Sequence, residues 1–471
     1  MTISPCRSSA FLDYKDLHQL LLNVQEKCCK TQIQYIVSIS IPIDFIDPLV
    51  VLDKFSQVNT LNFYFENKNK GEAIAAIDAI TKLEITSKHR FSQTEEFIKN
   101  CLENVINFGD TNQPFAGSHF FCSFSFFDQH HQLDYPFPSA TIFLPKLQVA
   151  VKNSNCCLVL NYLIHPQVNI HKILKEIQAN IKNLQSLANY SPYPDTFAHN
   201  FSQNRINNPH AFKNSVLSAL DKIESNYLTK IVLADALDVK SCQSFNLFKS
   251  LNNLRQLHPN CYIFSTSNGQ GKNFIGASPE RLISIHNQQL ITDALAGSAP
   301  RGKSPTEDAA NANHLVNSSK EKHEHRLVID FITQRLEQIG LFPQTLGPRL
   351  RQLSNIQHLW TPITAEIPHH IHPLKIVSQL HPTPAVAGAA RDIACAEIRR
   401  YENFERGLYA APLGWVDGKG NCEFIVGIRS ALIDGDRARL YAGAGIVAGS
   451  DPDKEFAEVQ LKLQALLKAL V

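Results

Sequence analysis

Lys230 lies inside the run YLTKIVLADAL, where strand alternation sets it on the same face as Val232 and Ala234. Burial disfavours an ammonium, so a lysine there is either a desolvated amine able to accept a proton or one that snorkels outward at the strand's end. Glu280 ends FIGASPE, where Gly276, Ala277 and Ser278 leave room for a ligand and Pro279 stiffens the turn. The alternative for Glu280 is a solvated loop carboxylate. A dry amine and a dry carboxyl would make a base and an acid, but neither residue is decisive alone.

Glu324 is more informative. It continues the stripe Val328, Ile332 and Leu336 one turn toward the helix start, and a carboxylate on a buried stripe needs a cation. His323 and His325 flank it but point to different faces, HExxH is absent, and the tract PHHIHP lacks partners at ligand spacing, so zinc is not expected. The last helix, SDPDKEFAEVQLKLQALLKAL, has Ser450 as N-cap and a main stripe of Phe456, Val459, Leu463, Leu466 and Leu470. Glu458 and Lys462 lie off that stripe beside Ala465 and Ala469, either as an exposed i,i+4 pair or as part of a site that small alanines let something approach. Before it, LYAGAGIVAGS offers Gly443, Gly445 and Gly449, whose backbone can approach an anion. Its spacing is wrong for a dinucleotide fingerprint, and too little chain follows for the βαβ unit such a site needs.

The elements that must carry these residues differ between the two ends of the chain. Residues 1 to about 150 alternate β-rich runs (IQYIVSISI, TLNFYF, HFFCSFSFF, ATIFLP) with helical stretches, and Ile170, Leu174, Ile177, Ile181 and Leu184 then mark an amphipathic helix. The polar stretch ANYSPYPDTFAHNFSQNRINNPH follows as the best boundary. Beyond about residue 210, short strands are interleaved with helices near 209–227, 244–257, 318–339 and 452–469, without one-for-one alternation. That pattern predicts an α+β fold of large mixed or antiparallel sheets layered with helices, with 1–205 as an N-terminal part of the same layered fold and 206–471 as the catalytic region.

Composition narrows the function classes. At 471 residues the chain suits two or three domains or one large elaborated one, and 44% hydrophobic with 19% charged residues excludes wholesale disorder. Lys and Arg (45) nearly balance Asp and Glu (43), with no basic block, so nucleic acid is not an expected partner. The eleven cysteines include two adjacent pairs and no CxxC, which reads as free thiols in a reducing compartment. The first residues lack the apolar core of a signal peptide, and the run SIPIDFIDPLVVL is broken by Asp and Pro. A soluble, cytoplasmic protein without a membrane partner is expected.

Taken in order, KIVLADAL, FIGASPERL, DALAGSAPRG, SSKEKHEHRLV, IQHLWTPI, LHPTPAVAG, YAAPLGWVDGKGNCEFIVGIRSAL and RLYAGAGIVAGSDPDKEFAEVQLKL resemble the chorismate-utilising enzymes, the isochorismate synthases above all. The resemblance is dense over 210–471 and general before that. It implies a magnesium-dependent, reversible isomerisation in which water adds at C2 of chorismate while the C4 hydroxyl leaves. It further implies Lys230 as the base that activates water, Glu280 as the acid, and Glu324 and Glu458 as magnesium ligands. Arg429, Lys462 and the backbone around Gly443 would meet the substrate carboxylates, and Gly297, Ser298 and Ala385 would line the ring, with His358 a polar neighbour. Ser298 and HPTPAVAG stand where anthranilate synthases typically carry Thr and a PAGTVSG-like segment, and no glutaminase-like extension is present, so no glutaminase partner is expected. A salicylate synthase, which adds pyruvate elimination, is the alternative reading.

Overall fold

The computed structural model describes residues 13–130, 134–187, 201–205, 209–353 and 356–470. Most of the polar stretch read as a boundary, 188–200 and 206–208, lies outside the described residues. Strands are joined antiparallel throughout, except that Tyr35–Ile43 runs parallel to Val105–Gly109. The long strand Ala140–Lys152 is the branch point: all along one edge it pairs with Glu72–Ile85, while its other edge is divided between His119–Phe124 and Asn155–Ile164.

Two arms of sheet leave this branch, and each crosses from the N-terminal half into the C-terminal half. One runs through Asn62–Asn67, Tyr262–Ser267, Lys272–Ser278, Ser430–Asp434 and Arg437–Val447 to Lys230–Ser241. The other runs through His119–Phe124, Pro412–Asp417, Cys422–Val426, Arg281–His286 and Gln289–Pro300 to Ile356–Glu366. Alternating β-branched and aromatic residues bury both faces of these strands, and nearly all of the buried apolar side chains form one continuous core. The strand Phe201–Arg205, just ahead of the proposed boundary, pairs with Leu237–Ser241 of the Lys230 strand.

The expected helices form as Ile170–Gln185, Pro209–Glu224, Leu247–Leu257, Ser319–Glu337 and Pro452–Leu470. Three more were not anticipated: Pro305–Asn317, Pro373–Leu380 and Arg391–Tyr401. Two of them open on Pro, which is compatible with a first helical turn although it reads as a breaker in sequence. EFIVGIRSALI divides into the strands Cys422–Val426 and Ser430–Asp434 around a sharp turn in which Arg429 takes φ +50°. The last helix is capped by Asp451, whose Oδ1 accepts from the N–H groups of Asp453 and Lys454, and not by Ser450, whose hydroxyl accepts from the Val447 N–H. No described helix is long and apolar enough to cross a membrane, and the described cysteines are all unpaired.

The junction between the halves is aromatic. Phe121, fully buried, stands opposite Trp415 on one neighbouring strand and Phe143 on the other, with its ring 5.1 Å from Phe63. Phe121→Ala should therefore cost about 3–5 kcal/mol through cavity creation. A lowered urea midpoint, moving together by circular dichroism and tryptophan fluorescence, is the expected measurement.

Candidate active site

A half-enclosed cavity of about 780 Å³, its mouth included, opens where the Lys230 strand, the Gln289–Pro300 strand and the helices Ser319–Glu337 and Pro452–Leu470 meet. Glu280, Gly297, Ser298, Glu324, His358, Ala385, Arg429, Gly443, Glu458 and Lys462 all line it. Lys230 lies directly behind this lining. Its side chain is 1% exposed, and its Nζ donates to Glu324 Oε1 at 2.8 Å, so the amine neither snorkels outward nor reaches solvent.

That ion pair explains a local sequence requirement. A Cβ on Gly445 would stand 3.0 Å from Glu324 Oε1 and 3.4 Å from Lys230 Cε, so any side chain here would crowd the pair. At the corresponding end of the Glu324 stripe it is His325 that is fully buried, its Nε2 hydrogen-bonded to Thr361 Oγ1, while Glu324 sits at its side facing the cavity. Two of the other histidines considered for zinc are likewise engaged locally: His372 accepts from the Leu374 N–H as a helix cap, and His369 contacts Gln288.

Glu280 is buried at 4% exposure, which removes the solvated-loop alternative. Its backbone is clamped, with the Val426 N–H donating to its carbonyl and the Ser278 hydroxyl bridging to Val426 O. Gly276 is small for a different reason from ligand access: a Cβ there would strike the Phe264 ring at 2.6 Å and Arg429 O at 2.7 Å. Burial pushes the Glu280 carboxyl up to about 8, against the opposing charge of Lys230 and with help from Asp293. Asp293 itself is held by Arg281 at 2.8 Å and Arg351 at 3.6 Å, which gives Arg281 a structural place behind the acid.

The opposite end of the cavity is a carboxylate cluster. Glu458 and Lys462 do form the i,i+4 pair at 2.7 Å, yet both are mostly buried and Lys462 Nζ also donates to Gly443 O at 2.8 Å. Two further carboxylates escaped the sequence reading: Glu321 and Glu455 stand one turn before Glu324 and Glu458. Glu321 Oε2 accepts from the Ser298 N–H at 3.0 Å, across the bulge where Gly297 takes φ +78°. Burial, then the charges of Glu324 and Glu458 respectively, raise the Glu321 and Glu455 carboxyls. The ExxE spacing in KEKHE and KEFAE is the signal that would have found them. Arg429 is half-buried, without a carboxylate partner at ion-pair distance among the described residues. His358, hydrogen-bonded to Ser298 Oγ at 2.8 Å, is kept neutral by burial and by the charges of Arg429 and Lys462.

The cavity therefore offers two cations (Arg429, Lys462), a buried carboxylic acid (Glu280) and one glutamate from each of two helices (Glu324, Glu458), with the amine of Lys230 behind Glu324. If the Lys230–Glu324 pair depends on the bare strand, Gly445→Ala should overpack it at a cost of about 1–3 kcal/mol. Gly347→Ala, with open space around its Cβ position, should be near neutral. Urea midpoints of the two variants provide the check.

The chain resembles known proteins over nearly its whole length. A family model described as chorismate binding enzyme matches residues 23–471. The chain is 31% identical over 439 residues to the salicylate biosynthesis isochorismate synthase of Pseudomonas aeruginosa, covering 92% of this chain and 90% of that one. It is 36% identical over 257 residues to isochorismate synthase MenF of Bacillus subtilis, covering 54% of each. Among solved structures, MenF, the menaquinone-specific isochorismate synthase from Escherichia coli, superposes with a TM-score of 0.77 at 28% identity, over 96% of this chain and 100% of that one. Anthranilate synthase component I from Streptococcus pneumoniae shares the fold, with a TM-score of 0.69 at 20% identity over 84% of this chain and 92% of that one. Because the family match spans both arms of the sheet and every strand and helix around the cavity, this chain belongs to the chorismate binding enzyme family.

Proposed function

We propose that this chain is an isochorismate synthase, an isomerase that adds water at C2 of chorismate while the C4 hydroxyl departs. The observation that carries the reading is the meeting of Glu280, Glu324, Glu458 and Arg429 on one cavity, with Lys230 paired to Glu324 directly behind its lining. Near-full-length similarity to a named isochorismate synthase supports it.

The residues divide the work by wall. Lys230, in its neutral amine form, would take a proton from the attacking water, its Nζ being held by Glu324 directly behind the cavity lining. Glu280, held protonated at neutral pH by burial, would give a proton to the departing hydroxyl. Arg429 and Lys462 would hold the substrate's carboxylates, since Arg429 has its charge available and Lys462 is anchored between Glu458 and Gly443 O. Ser298, Gly297 and Ala385 are small enough to admit the ring, and neutral His358 keeps Ser298 Oγ oriented.

Magnesium fits the donor set at the acidic end. All the candidate ligands are hard carboxylate oxygens, and Glu321 and Glu455 crowd Glu324 and Glu458 with negative charge that a dication would relieve. No group of three or more His, Cys, Asp or Glu among the described residues is arranged to hold a metal by itself. Glu324 and Glu458 would thus be the protein ligands, with substrate oxygens and water completing the shell, as is usual for this ion. What magnesium supplies when bound is neutralisation of the substrate's ring carboxylate.

Incubation with chorismate and magnesium should yield isochorismate alone, whereas stoichiometric pyruvate with salicylate would mark a salicylate synthase instead. Lys230→Ala should lower the rate by about 10²–10⁴ with substrate still bound, and unchanged turnover would eliminate the base. Because Glu280 acts only when protonated, the rate should fall about tenfold per pH unit above about pH 8. Glu324→Gln and Glu458→Gln should each raise the half-saturating magnesium concentration at least about tenfold, with chelator abolishing wild-type turnover and added magnesium restoring it.

A further inference from the structure

The Lys230 strand pairs along one whole edge with Arg437–Val447, but among the described residues its other edge is covered by a strand only at Leu237–Ser241. The half that carries Lys230 would leave a row of backbone groups buried without partners, at a cost no interior can sustain. Those groups are met one by one. The Ala389 N–H donates to Lys230 O at 3.2 Å, and the Val232 N–H donates to Ala387 O at 2.7 Å. Arg406 Nη2 donates to Val232 O at 2.9 Å, and the Ala234 N–H donates to Glu402 Oε1 at 2.8 Å.

Arg406 and Glu402 are themselves a doubly hydrogen-bonded pair, at 2.8 Å and 2.6 Å, with side chains 0% and 4% exposed. The second Nη of Arg406 donates to Val386 O at 2.9 Å. Val232 and Val386 both line the cavity, on the Lys230 strand and on the HPTPAVAG segment that presents Ala385. One planar guanidinium thus holds the carbonyls of two cavity walls in a fixed relation. The approach is close: a Cβ on Gly388 would stand 2.4 Å from Lys230 O. Burying an ion pair is a poor route to stability, because desolvation offsets the attraction, whereas a rigid fork is well suited to fixing register.

We infer that Glu402 and Arg406 are positioning residues that stand in for a missing strand and set the Ala385 segment against the Lys230 strand. The inference rests on the proposed isomerase reading for its kinetic readout but not for its structural one. Neither residue touches the cavity's reacting groups; they act through the backbone of Val232, Ala234 and Val386. A displacement of about 1 Å between such walls is enough to cost about 100-fold in rate.

The test compares Arg406→Lys, which keeps the charge but cannot reach both carbonyls and Glu402, with Glu402→Gln, which keeps an acceptor for the Ala234 N–H. Both are measured by amide hydrogen exchange and by chorismate turnover. At least about tenfold faster exchange is expected at Val232, Ala387 and Ala389 in Arg406→Lys, with Leu237–Ser241 unchanged. Its kcat should fall at least about tenfold while KM stays within about threefold, and Glu402→Gln should lie between it and the wild type. Unchanged local exchange and kcat in both variants would overturn the inference. So would faster exchange spread evenly along the whole strand, which marks a loss of stability alone. If Arg406→Lys does not fold, Glu402→Gln decides by the same readings. Absence of wild-type turnover would count against the isomerase reading, and the exchange pattern would still settle the positioning role.

Discussion

A lysine amine buried to 1% exposure cannot stand alone, and the placement of Glu324 2.8 Å from it is the contact around which the cavity is arranged. Because Lys230 projects from a strand and Glu324 from a helix, the pair fixes the helix Ser319–Glu337 over that strand at a particular rotation. The rotation turns His325 into the core against Thr361 and leaves Glu321 facing the bulge at Gly297. A side chain at Gly445 on the neighbouring strand would crowd that pair. A carboxylate, a bulge and a glycine on three different elements follow from one buried charge.

The same economy appears at the acid. Among the described residues Glu280 has no ion-pair partner; its backbone sits in a turn clamped between Ser278 and Val426. Behind it, Asp293 is shared by Arg281 and Arg351, so the charges nearest the acid are mutually compensated and burial dominates its chemistry. The cavity therefore holds a neutral acid at one side while the opposite end accumulates carboxylates on two helices. A single compartment thus brings together a buried acid, two cations and a glutamate from each of two helices.

The N-terminal half, chemically quiet in its sequence, is indispensable to this arrangement. Asn62–Asn67 covers the edge of Tyr262–Ser267, and His119–Phe124 covers the edge of Pro412–Asp417, so both arms that reach the cavity are completed by strands from the first 130 residues. The two ends of the chain are layers of one core, with aromatic packing around Phe63, Phe121 and Phe143 at the join.

Much of this was legible in the residues themselves. A lysine among valines, a glutamate extending a leucine–isoleucine–valine stripe and a glutamate beside alanines each violate a local pattern, and such violations are readable because periodicity is a short-range property. The α+β class and the boundaries of the helix carrying Glu324 and the helix carrying Glu458 follow from the same short-range rules. What neighbours a residue across the fold is not a short-range property. Whether Lys230 snorkelled or paired, whether Glu280 was wet or dry, and that Gly276 makes room for Phe264 and not for a ligand were decided by packing. So were the break that gives Arg429 its left-handed backbone and the use of Arg406 and Glu402 to close a strand edge. The sequence by itself determined which side chains were out of place; only the tertiary structure, by burying them together where water could not solvate their charges, decided what each was paired with.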